Sequence, residues 1–250
     1  MSLPAEREPR PIRTLLPRRV LREEVLVVLA LSLLASAVYA VINILSAPIH
    51  GVQVAVYPPV QLPTQLANIV FGLAPVWLVV HLLRRSGEGS SAIGLALDRP
   101  ALDLATGAGI AAIVGAAGVG VYLGAVALDI NRIVVPVPPT GHWWTVPILV
   151  LGAAQFALLE EAVVVGYLLT RLRQLGLAAP IAIIGSALLR GTYHLYQGIG
   201  GFLGNLAMGL FFGWIFVRWR RTWPLVIAHF LVDVGAGVGY LLFRTHLPGL

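Results

Sequence analysis

The sequence predicts an all-α fold, a polytopic membrane bundle of about seven transmembrane helices. Three observations carry this expectation. Of 250 residues, 58% are hydrophobic and 11% charged, where a soluble domain carries about 25% charged residues. Seven apolar stretches approach or exceed the roughly 20 residues a helix needs to cross a bilayer. All 17 basic side chains are arginine, and they bracket those stretches instead of gathering on one face. That placement argues against a nucleic-acid partner despite the formal charge of +6. The chain has no cysteine, which removes disulfides and thiolate metal sites.

Residues 1–24 form an arginine- and proline-rich tail, with Arg7, Arg10, Arg13, Arg18, Arg19 and Arg22. Pro4, Pro9, Pro11 and Pro17 oppose a long helix, and the charge suits a cytoplasmic tail held near anionic lipid. Val25–Ser46 is too long for the apolar core of a signal peptide and reads as the first span. Gln65–Leu83, with a kink expected at Pro75, and Leu104–Leu128 follow. Residues 25–145 hold no motif. Residues 146–243 hold four more spans, Val146–Leu169, Pro180–Gln197, Phe202–Val217 and Pro224–Phe243, before a short tail at 244–250. The sixth is short, at about 16 residues, with Gly200–Gly201 and Trp219 as its natural extensions. An additional amphipathic segment fits near Ser91–Leu97 or Val52–Leu62.

Placing the N-terminus in the cytoplasm puts 14 arginines on the inner side and two, Arg132 and Arg244, on the outer side, the bias expected of a membrane protein. Gly120/Gly124, Gly209/Gly213 and Gly235/Gly239 have a spacing that lets helices approach closely. They read as packing within one bundle, and the oligomeric state is left open.

Six ionisable residues lie well inside the spans: Glu160, Glu161, Arg190, His194, His229 and Asp233. At the lower end of insertion costs, burying six is worth about 15 kcal/mol before pairing, so they are expected to face one another or a wet cavity. At 1.5 Å per residue their depths overlap. His229 and Asp233 are i, i+4, as are Arg190 and His194, so each pair shares a helix face. Glu160 and Glu161 stand about 100° apart, so one faces the cavity while the other braces a neighbouring helix or pairs with Arg190. The chamber is expected to open toward the cytosol.

Two adjacent carboxylates in a low dielectric resist double ionisation. A carboxylate beside neutral histidine can hold and deprotonate a water, while a second histidine with a polar residue one turn on stabilises charge on a carbonyl oxygen. Alternatively, Glu160, His194 and His229 supply three zinc ligands with an open position for water. Both arrangements are hydrolytic, and the residues alone do not choose between zinc and a metal-free mechanism.

At these positions the chain resembles the CPBP (Abi) family of intramembrane proteases, which includes the type II CAAX prenyl endopeptidase. That family's pattern is EExxxR, then FxxxH, then HxxxN or HxxxD on successive helices. Glu160–Glu161, His194, and His229 with Asp233 match in order and spacing, over about residues 147–240. The resemblance implies that Glu160 and His194 activate water, that His229 and Asp233 bind the scissile carbonyl, and that Glu161 supports them. It implies a peptide or prenylated protein substrate, a lipid surround and a bacterial plasma membrane. The chain departs from the pattern at Val165, where the motif has arginine, and at Arg190, where it has phenylalanine. The expectation is that Arg190 supplies the displaced positive charge. Asp233 stands for the commoner asparagine; an ionised carboxylate cannot donate to an oxyanion, so it must hold a proton, orient His229 or bind metal.

Two other readings compete. A proton-coupled transporter would use the same buried groups but calls for two related halves, which the sequence lacks. A non-catalytic immunity or binding protein on the same fold gains weight from Val165. Asn205 is balanced between a helix-helix hydrogen bond and a place on the cavity wall. Tyr193 and Tyr196 read as packing, Trp143, Trp144, Trp219 and Trp223 as an interfacial belt, and His50, His81, His142 and His246 as bystanders.

Overall fold

The computed structural model describes residues 16–46, 52–54, 61–128, 130, 133–135 and 142–243. Arg7, Arg10, Arg13, Arg132, Arg244, His50 and His246 lie outside them. The first expected span is two helices, α1 (Arg18–Ala30) and α2 (Leu33–Ser46), bent by 55°. Ser32 sits in the bend and its hydroxyl donates to the Val28 carbonyl at 2.6 Å, a back-bond that bends helices. A three-residue strand β1 (Val52–Val54) follows, then α3 (Leu62–Gly72) and α4 (Ala74–Arg85).

The break between α3 and α4 falls at Leu73 and has a cause in Pro75, which lacks an N–H and crowds the preceding turn. The Val76 N–H bonds the Leu73 carbonyl at 3.0 Å instead of that of Gly72. Gln155 takes up the freed Gly72 carbonyl at 3.4 Å. A side chain at position 72 would collide with that carboxamide, 2.8 Å from a Cβ placed there. The expected kink is therefore an interruption that one polar side chain repairs.

Next come α5 (Pro100–Ala127) and β2 (Ile133–Val135), which pairs in parallel with β1. Helix α6 (Thr145–Glu160) runs through a π-helical stretch, Glu161–Tyr167, into α7 (Leu168–Gln174) as one 30-residue apolar span. Helices α8 (Ala179–Tyr193), α9 (Ile199–Trp219) and α10 (Trp223–Phe243) complete the bundle, with a 3-10 turn, Leu195–Gln197, between α8 and α9.

Among the described residues five helical stretches are long and apolar enough to cross a membrane, or six with the bent α1–α2 pair. The expected polytopic helical bundle is borne out, with fewer such stretches among the described residues than the seven or so expected. The expected span Pro180–Gln197 is the reason: α8 has only 15 residues, about 22 Å at 1.5 Å per residue against a core of about 30 Å. The expected sixth span is longer than its hydropathy suggested, taking in both Gly200–Gly201 and Trp219.

The α6–α7 span is the most enclosed, and every residue of its π stretch is buried. It separates two apolar clusters. Val163 and Val164 pack with Val28, Val79 and Leu83, whereas Val165 and Leu169 pack with Phe212, Ile215 and Leu225. Of the three glycine pairs, only Gly209/Gly213 makes a helix contact. A Cβ at 209 would stand 2.9 Å from the Ala187 Cα, and one at 213 would stand 3.0 Å from Ile183. The other two pairs face open space, so they do not pack as expected.

The arginine-rich ends of the helices gather on one side and close it. Buried Arg171 pairs with Glu88 and with Glu24 at 3.4 Å. Arg221 chelates Asp103, in the first turn of α5, at 2.6 and 2.7 Å and reaches Asp98 at 2.8 Å. The segment around Ser91–Leu97 opens with a 3-10 turn, Ser90–Ile93, tucked under the α9–α10 connection. There Thr222 bonds the carbonyls of Gly94 at 2.9 Å and Ile93 at 2.6 Å.

Candidate active site

The α6–α7 span carries two carboxylates at its centre, where α6 passes into the π stretch. A π turn widens the helix and leaves carbonyls displaced from α-helical partners, a feature common at functional sites. Ser186 of α8 donates to the Val164 carbonyl at 2.7 Å and so helps to hold the stretch. Glu160 lines a cavity of about 880 Å³. Glu161 is turned away and is fully buried.

Arg190 and His229 fix Glu161. The Arg190 Nη1 donates to Glu161 Oε1 at 2.7 Å, and His229 Nδ1 stands 2.8 Å from the same oxygen. His229 Nδ1 is also 3.1 Å from Arg190 Nη2. A guanidinium only donates, and one nitrogen cannot donate and accept along the same direction. The carboxylate is the stronger partner, so Nδ1 carries hydrogen toward Glu161. His229 Nε2 then faces Asp233 Oδ2 at 3.4 Å, and a hydrogen bond there needs a proton on one of the two.

Arg190 is wholly buried. Its Nη2 lies 3.5 Å from Glu160 Oε2, and its guanidinium stacks over Phe212 with 5.4 Å to the ring centre. Gly209 lets α9 come close enough to press on the arginine stem. Val165 is sealed in the same dry cluster as Phe212. The positive charge beside the paired glutamates thus comes from α8.

His194 caps α8 at its C-terminal end. Its Nδ1 lies 3.0 Å from the Arg190 carbonyl, which can only accept, so Nδ1 bears hydrogen and Nε2 keeps its lone pair. Glu160, His194, His229, Asp233 and Asn205 all line the one cavity. Asn205 also donates to the Gly201 carbonyl one turn back, at 3.0 Å. Tyr193 lines it too, with its hydroxyl 2.7 Å from Glu160 Oε2. Tyr193 is therefore not the packing residue the sequence suggests. Its i, i+3 relation to Arg190, which puts both on one helix face, was the available signal.

The cavity walls come from α2, α5 and α9 as well, for example Ala40, Ala117, Val121, Gly204 and Met208. On α5 and α9 these positions lie toward the ends opposite the arginines. The sealed end is the arginine-rich one, so the expected opening toward that side is not where the cavity lies. The ion pairs of Arg171 and Arg221 lie at that arginine-rich end.

Zinc would need Glu160, His194 and His229 to aim lone pairs at one point. Among the described residues, no three His, Asp or Glu side chains are grouped to hold a metal ion. The Arg190 guanidinium stands against Glu160 Oε2, Glu161 Oε1 and His229 Nδ1, and its positive charge disfavours a divalent ion close by. As arranged, these donors do not fit zinc.

Residues 142–235 match the sequence profile of the Rce1-like family, described as type II CAAX prenyl endopeptidase Rce1-like. The matched range includes the paired glutamates, both histidines and Asp233, and the family is the one the sequence resembles. Neither a curated protein nor a solved structure matches the chain.

Proposed function

From an Rce1-like segment at residues 142–235, we propose that this integral membrane protein is an intramembrane endopeptidase whose water is activated by Glu160 with His194. The observation that carries the proposal is the shared cavity. Glu160, His194, His229 and Asp233, from three separate helical elements, border the same 880 Å³, although intramembrane ionisable groups are costly anywhere else.

Glu160 Oε1 takes a proton from water while His194 Nε2 accepts a hydrogen bond from the same molecule. The hydroxide attacks the scissile carbonyl carbon. A proton on His229 Nε2, with Asp233 beside it, stabilises the resulting oxyanion. Glu160 then passes its proton to the leaving amine as the C–N bond breaks. Glu161 stays paired with Arg190, so the two glutamates take different roles. Arg190 supplies from α8 the positive charge that the motif places at position 165. The fixed guanidinium favours the metal-free course over a zinc-bound water.

The substrate is a peptide or a prenylated protein, reached from the lipid phase of a bacterial plasma membrane with the N-terminus in the cytoplasm. The test is the full chain in proteoliposomes with a panel of quenched-fluorescent peptides, prenylated and not. Cleavage by wild type that is lost in Glu160→Gln supports the reading. Proton-coupled flux without cleavage would favour a transporter.

A further inference from the structure

We propose that Tyr193 is a positioning residue that holds Glu160 with one carboxylate oxygen free for water. The inference rests on the hydrolytic reading above and adds a residue that the motif pattern does not contain.

Tyr193 is the last residue of α8, and the chain leaves the helix at His194. That ending lets two consecutive side chains serve one site. Their rings lie 4.7 Å apart, tilted by 40°, and both border the cavity. Tyr193 is 5% exposed, and a buried phenol must find a partner for its hydroxyl. It finds Glu160 Oε2 at 2.7 Å, a length typical of a hydroxyl donating to an ionised carboxylate.

The consequence is an asymmetry between the two glutamates. Both donors that approach Glu160, the Tyr193 hydroxyl at 2.7 Å and Arg190 Nη2 at 3.5 Å, address Oε2. Among the described residues Glu160 Oε1 takes no protein hydrogen bond, and it is not among the enclosed polar atoms left without a partner; it faces the cavity. In Glu161 the reverse holds, because Oε1 is taken by Arg190 and His229 while Oε2 is enclosed and unpartnered. A carboxylate can rotate between its two faces, and a donor clamped on one oxygen stops that rotation. Tyr193 thereby keeps Oε1 toward the position where water meets His194.

Tyr193→Phe removes the hydroxyl and keeps the ring in its packing. The test compares wild type, Tyr193→Phe, Tyr193→Ala and Glu160→Gln as full chains in proteoliposomes. Cleavage of the prenylated and unprenylated quenched peptides is read alongside unfolding midpoints and carboxylate infrared bands. The expected result for Tyr193→Phe is a kcat lower by about 10- to 100-fold, the scale of a misplaced catalytic group. KM is expected to stay within about twofold, because the hydroxyl does not touch substrate. Its midpoint stays near wild type, and the carboxylate band that disappears in Glu160→Gln shifts in frequency. An unchanged kcat, an unshifted band, or a midpoint lowered as far as in Tyr193→Ala overturns the proposal. If wild type and Glu160→Gln cleave alike, it is the hydrolytic reading that fails, and the band then decides on the hydrogen bond alone.

Discussion

Replacing Arg190 with leucine removes the guanidinium that faces both glutamates. At 2.7 Å from Glu161, the pair attracts by about 6 kcal/mol at an effective dielectric near 20. Much of that is offset by desolvation, since both side chains are fully buried. What remains after Arg190→Leu is a buried carboxylate whose Oε2 already lacks a partner. Breaking a buried pair on one side costs about 3–5 kcal/mol, and that is the loss of stability expected. The double variant Arg190→Leu/Glu161→Leu should recover most of it, because an apolar pair of similar volume is tolerated, yet should stay inactive. Val165→Arg added to Arg190→Leu should restore part of both, if the charge matters more than its helix of origin. The assay is equilibrium unfolding in detergent together with peptide cleavage in proteoliposomes. Full stability and full activity in Arg190→Leu would refute the reasoning.

Three further outcomes follow. Because no three His, Asp or Glu side chains among the described residues are grouped for a metal ion and the Arg190 charge stands beside Glu160 and His229, cleavage should survive 1,10-phenanthroline and EDTA, and added zinc should not raise it; loss on chelation restored by zinc would contradict this. At the arginine-rich end, the hydrogen bond from Arg221 holds the Asp98 carboxyl below the usual range. A lowered folded value means stability that is complete above the unfolded value and is lost as pH falls through the folded one. Unfolding midpoints should therefore fall on acidification below about pH 4, and the fall should be smaller in Asp98→Asn. Gly209→Val would place its side chain against the Ala187 backbone and the Arg190 stem. It should lower stability by about 1–3 kcal/mol through overpacking and reduce cleavage, whereas Gly120→Val, facing open space, should do neither.

Most spans are legible because hydropathy distinguishes long apolar helices, although it also made a span of Pro180–Gln197, where α8 has only 15 residues. The polar centre was legible because six ionisable groups cannot be buried apart. That only one of the two glutamates faces the cavity follows from the roughly 100° separation of adjacent helical residues, which leaves the other to brace a neighbouring helix or to pair with Arg190, and the structure shows the pair. Other features left no such trace. The early end of α8 depends on His194 leaving the helix, and nothing in the apolar run before it announces that. The π stretch has the composition of any buried helix, so Ala162–Val165 gives no sign of it. The β1–β2 pairing joins residues far apart in sequence. In the sequence Tyr193 is indistinguishable from a core aromatic, because its hydroxyl contact with Glu160 depends on how α6 and α8 pack. The side on which the cavity lies is not legible in arginine counts, which report topology and not which residues line a cavity.

The central claim is that Glu160 activates a water for peptide hydrolysis inside the bundle. It is tested most directly by mass spectrometry of peptide products formed in ¹⁸O-labelled water by wild type and Glu160→Gln in proteoliposomes. The account predicts one ¹⁸O in the new carboxyl terminus with wild type and no product with the variant. Equal product from Glu160→Gln would contradict it.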